Sequence, residues 1–77
     1  MARIRSFEKT TGNARSHPTE VDCGYERLTA DGETLLQLTT FGSDHRQSAK
    51  KGSQSLQFDR AAAAELVAII RQTFPGL

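Results

Sequence analysis

Residues 21–41 read Val21-Asp22-Cys23-Gly24-Tyr25-Glu26-Arg27-Leu28-Thr29-Ala30-Asp31-Gly32-Glu33-Thr34-Leu35-Leu36-Gln37-Leu38-Thr39-Thr40-Phe41. The Asp31-Gly32 pair decides how the rest is read. Both residues tolerate positive φ, so the pair predicts a two-residue hairpin turn of type I′. That turn sets the pairing outward: Ala30 faces Glu33, Thr29 faces Thr34, Arg27 faces Leu36, Tyr25 faces Leu38 and Cys23 faces Thr40. Residues directly opposite share a face of the sheet. One face then collects Val21, Cys23, Tyr25, Leu36 and Leu38; the other collects Asp22, Gly24, Glu26, Gln37 and Thr39. A slip of one residue would mix the two sets, so turn and pattern support each other. Leu28, Leu35 and Phe41 fall on the polar side, either as ordinary surface or as contact points for a partner. Cys23, on the apolar side, reads as a buried packing residue rather than a nucleophile.

Downstream, residues 42–52 form a long polar connection bounded by glycines and carrying Asp44, His45, Arg46, Lys50 and Lys51. Long loops inside small domains are often functional or mobile. In residues 53–58, Leu56 and Phe58 alternate with Ser53, Ser55 and Gln57, the pattern of a half-buried strand. Asp59 is placed to cap a helix that starts with four alanines and stops at Pro75-Gly76. Ala62, Ala63, Leu66, Val67, Ile69, Ile70 and Phe74 cover about 160° of that helix, whereas resting on one sheet needs only about 100°. A second neighbour is expected on the excess arc: another subunit, or the N-terminal segment folded over that flank. The small core favours a homodimer, with Leu66, Ile69, Ile70 and Thr73 at the interface.

Upstream, residues 9–20 contain no large apolar side chain, and Ile4 and Phe7 are the only anchors before them. Residues 1–20 are read as a flexible basic arm, with residues 3–8 either an edge strand or a frayed tail. Residues 21–77 make one domain. The fold class is α+β: a small antiparallel sheet of three or four strands followed by one C-terminal helix. A chain of 77 residues with one cysteine cannot close an internal disulfide, and small domains lacking such staples often gain stability from a partner. Cys23, His17 and His45 are too few and too scattered for a structural zinc site. The lone cysteine and the absence of a long apolar run or a secretory start suggest a cytoplasmic protein without a membrane span.

Net charge is +1, but its distribution is uneven. Residues 1–20 balance at +2, residues 21–35 at −3 and residues 42–60 at +2. Catalytic groups lack companions. Asp44-His45 has no fixed nucleophile beside it, and no glycine-rich phosphate or dinucleotide fingerprint occurs. The chain is therefore expected not to be an enzyme on its own and to use no cofactor. Binding chemistry is better represented. Arg46, Lys50 and Lys51 can attract phosphates, Phe41 offers a surface on which a base can stack, and Gln37, Thr39, Ser55 and Gln57 can add hydrogen bonds. Single-stranded nucleic acid is the partner this combination suggests. The other reading is a small interaction or regulatory subunit that docks a protein partner at Leu28, Leu35 and Phe41.

The segment Lys51-Gly52-Ser53-Gln54-Ser55-Leu56 followed at once by the Asp59–Phe74 helix resembles the single-stranded-DNA-binding domain of the transcriptional coactivator positive cofactor four and its bacterial relatives. The likeness spans roughly residues 21–74. It departs in one extra residue between the glycine and the serine-leucine pair, and in an arginine displaced to Arg46. The resemblance implies a homodimer joined through its helices, with sheets that cup single-stranded DNA.

Overall fold

The computed structural model describes residues 1–42 and 52–77. Residues 43–51, with Asp44, His45, Arg46, Lys50 and Lys51, lie outside the described part. The elements are β1 (Ala2–Arg3), β2 (Cys23–Ala30), β3 (Glu33–Phe41), β4 (Gly52–Phe58) and α1 (Arg60–Thr73). The fold is α+β: one four-stranded sheet followed by a C-terminal helix. No described helix is long and apolar enough to cross a membrane.

The hairpin forms in the expected register. Asp31 and Gly32 have φ of 52° and 74°, and β2 pairs with β3 from Cys23↔Thr40 to Ala30↔Glu33. β4 adds antiparallel to β3, opposing Leu36 with Phe58, Gln37 with Gln57, Leu38 with Leu56 and Thr39 with Ser55. The strand order is β1-β4-β3-β2. β1 runs parallel to β4, which makes the sheet mixed rather than wholly antiparallel. The N-terminal segment is held there by Ile4, whose N–H donates to the Gln57 carbonyl at 2.8 Å. Phe7 stacks on Phe58 with ring centroids 6.3 Å apart.

Asp59 caps α1 as its position predicts: its Oδ1 accepts from the Ala62 N–H at 2.8 Å. Arg3 reaches from β1 to donate to Glu33 Oε1 at 2.8 Å and lies 3.6 Å from Asp59 Oδ2. The Ala62 N–H, helped by Arg3, holds the Asp59 carboxyl below its ordinary value. Glu33 in turn raises the Arg3 guanidinium. At its other end α1 closes with the Phe74 N–H on the Ile70 carbonyl, followed by Gly76 at φ 101°.

Burial corrects the simplest version of the two-faced hairpin. Among the described residues, the buried apolar side chains are Leu35, Phe58 and Ala62. Leu35 belongs to the face read as polar, yet it is only 4% exposed. Leu28 lies directly opposite it, and the Arg3–Glu33–Asp59 cluster sits at the same end of that face. Leu28 and Phe41 are half-buried, so the three do not form an open apolar patch. Conversely, Cys23 is exposed rather than buried, and Tyr25 is 74% exposed. The cause is topological: β2 is an outer strand, whereas α1 packs principally against β4.

Candidate nucleic-acid interface

Alternation along β3 and β4 sends Gln37, Thr39, Ser55 and Gln57 to one face of the sheet. The register makes them direct neighbours, Gln37 opposite Gln57 and Thr39 opposite Ser55. The side chains are linked. Gln57 Nε2 donates to Gln37 Oε1 at 2.9 Å, and Gln37 Nε2 donates to Thr39 Oγ1 at 3.3 Å. The Thr39 and Ser55 hydroxyls lie 3.4 Å apart. Gln57 Nε2 also approaches Met1 Sδ at 3.9 Å. Such a network holds amides and hydroxyls in place, and primary amides retain further donor and acceptor capacity for a ligand.

Phe41 ends the row. A register shift between Thr40 and Phe41 sets Phe41 opposite Gly52. Irregularities of this kind bend the strand and re-aim a side chain. The ring then lies against Gly24. A Cβ built at Gly24 would stand 3.1 Å from Phe41 Cζ and 3.2 Å from Cε2. A Cβ at Gly52 would stand 2.9 Å from Thr39 Cγ2. Two missing side chains thus let an aromatic ring and a threonine lie close to the sheet. Gly24, Glu26, Gln37, Thr39, Phe41 and Gly52 are among the residues lining an open depression here.

Of the residues expected to bind nucleic acid, Gln37, Thr39, Phe41, Ser55 and Gln57 share this face. Arg46, Lys50 and Lys51 belong to residues 43–51, the stretch of chain between Gly42 and Gly52. Gly24 and Gly52 are contributors whose role was overlooked in the sequence. The available signal was glycine inside a strand pattern, which often marks close approach of another group to the backbone. The expected dimer residues fall on α1: Leu66 is half-buried, Ile69 and Ile70 are 40% and 37% exposed, and the Thr73 hydroxyl turns back to donate to the Ile69 carbonyl at 2.8 Å.

Comparisons with family models, curated proteins and solved structures find no match to this chain.

Proposed function

We propose that this chain is a non-enzymatic module that binds single-stranded nucleic acid, most naturally DNA, on the polar face of its sheet, and that it works as a homodimer. The observation that carries the reading is the linked Gln37–Gln57 and Thr39–Ser55 array ending in Phe41, whose ring is seated on Gly24. Phe41 supplies a stacking surface, and the amides and hydroxyls supply sequence-tolerant hydrogen bonds. Arg46, Lys50 and Lys51, which follow Phe41 in the chain, supply the cations for phosphate. The resemblance to the positive cofactor four family points the same way, toward a coactivator-like role, and a reducing cytoplasm suits the single free thiol.

The competing reading, a protein partner docked on Leu28, Leu35 and Phe41, loses support from the burial of Leu35. The test of the nucleic-acid reading is fluorescence anisotropy with labelled single-stranded and duplex oligonucleotides at low and moderate salt. The expected result is salt-sensitive binding that prefers single strands and is lost when Lys50 and Lys51 are both replaced by Glu. Binding that survives that double replacement at moderate salt would remove the basic segment from the site.

A further inference from the structure

Glu26 lies on the same sheet face as the amide and hydroxyl array, and the array does not use it. Register places it in one row across four strands: Glu26 on β2, Gln37 on β3, Gln57 on β4 and Arg3 on β1. The two charges stand at opposite ends of that row, and neither amide between them turns to Glu26. Gln57 donates to Gln37 Oε1, and Gln37 donates to Thr39. Arg3 turns to Glu33 and Asp59. Glu26 is exposed and, among the described residues, carries no hydrogen bond or ion pair.

Its position gives that free carboxylate a use. Glu26 follows Gly24 by two residues on one strand face, about 7 Å along the strand, and Gly24 is where the Phe41 ring is seated. Glu26 and Phe41 line the same open depression, so a base stacked on Phe41 can present an edge to the Glu26 carboxylate. A negative charge here repels phosphate, which turns the bases of a strand, rather than its backbone, toward Glu26. An ionised carboxylate only accepts hydrogen bonds, so it sorts bases by the donors they offer. Guanine carries two adjacent donors on its Watson–Crick edge, N1–H and the N2 amino group. They meet both carboxylate oxygens much as an arginine fork does. Cytosine and adenine each bring one amino group beside a ring nitrogen that accepts. Thymine sets its single N3–H between two carbonyl oxygens, which the carboxylate repels.

We propose that Glu26 selects the base held on Phe41, and that the base it prefers is guanine in a single strand. The proposal rests on the nucleic-acid reading above and adds a base preference to a face whose other hydrogen bonds tolerate any sequence.

The test uses the full chain and three labelled single strands of equal length: alternating thymine and guanine, the same strand with hypoxanthine in place of guanine, and thymine throughout. Hypoxanthine differs from guanine only in lacking the N2 amino group. Anisotropy at one moderate salt concentration should show the guanine strand bound roughly tenfold or more tighter than the all-thymine strand, the discrimination of one bidentate base contact. The hypoxanthine strand should fall between them. Glu26→Gln keeps the size of the side chain, removes the charge and leaves one accepting oxygen. It should bring the guanine-to-thymine ratio close to one through two opposite changes. The guanine strand binds more weakly, and the all-thymine strand binds more tightly because its phosphates no longer meet a carboxylate. Glu65→Gln removes the same charge from an exposed position on α1 and should leave the ratio unchanged. A ratio near one in the wild type, or a guanine preference that survives Glu26→Gln, would overturn the role of Glu26 and leave the nucleic-acid reading standing. A wild-type chain that binds none of the three strands would overturn both.

Discussion

Phe41 owes its position to two residues without side chains. Gly24 leaves the space the ring occupies, and Gly52 leaves the space beside Thr39. Phe41→Ala should cost about 1–3 kcal/mol of single-strand affinity, the usual contribution of one stacked base. Gly24→Val should produce a loss of the same order, because two γ-methyl groups would displace the ring, while the hairpin itself accepts a β-branched residue. Anisotropy titrations of both variants check this, with circular dichroism to confirm the fold. Unchanged affinity in Gly24→Val would mean that the seated ring position is irrelevant to binding. Asp59 has a different task. Its carboxylate is favoured in the folded chain by the Ala62 N–H, so its proton affinity falls on folding. The stability it contributes is therefore complete above the ordinary aspartate value of 3.8 and is lost as pH falls through the lowered folded value. Asp59→Asn keeps a capping oxygen and removes the titration. Urea midpoints measured down an acid series should converge for the two proteins at the lowest pH and favour the wild type near neutrality.

The elements show how far local rules reach. Asp31-Gly32 specified turn, register and face in one step, and the positive φ values at both residues are what that turn needs. Gly32, at φ 74°, would resist a β-branched replacement. Gly32→Val should destabilise the chain by about 1–2 kcal/mol, seen as a lower urea midpoint with an unchanged slope. The Asp59 cap and the Pro75-Gly76 stop were equally legible, since each depends on neighbours close in sequence. Burial was not. Cys23 and Tyr25 sit on the apolar side of an alternating strand, but alternation says which face a residue joins and nothing about what covers that face. Coverage depends on where α1 goes after Asp59, a matter of packing between distant segments. Leu35 shows the converse. The pattern put it on the wet side, and the Arg3–Glu33–Asp59 cluster, assembled from three separate elements, lies at its end of that face. The parallel addition of β1 was beyond reading for the same reason, because two residues carry no periodicity.

For the whole molecule, one sheet has two faces of different chemistry. The face with Gln37, Thr39, Phe41, Ser55 and Gln57 is polar and internally hydrogen-bonded. The face with Tyr25, Leu38 and Leu56 is apolar, with Tyr25 and Leu56 exposed and Leu38 half-buried. The proposed nucleic-acid reading uses the first of these faces, whose amides and hydroxyls can hydrogen-bond a ligand. The most direct test of the central assignment is the salt dependence of single-strand binding, followed by anisotropy with a labelled oligonucleotide. Three cations on each binding face, Arg46, Lys50 and Lys51, predict a log–log slope of about −2. Binding that prefers single strands with that slope, and loses most of it when Lys50 and Lys51 are replaced by Glu, is the predicted result. No binding at low salt, or binding indifferent to salt, would contradict the assignment.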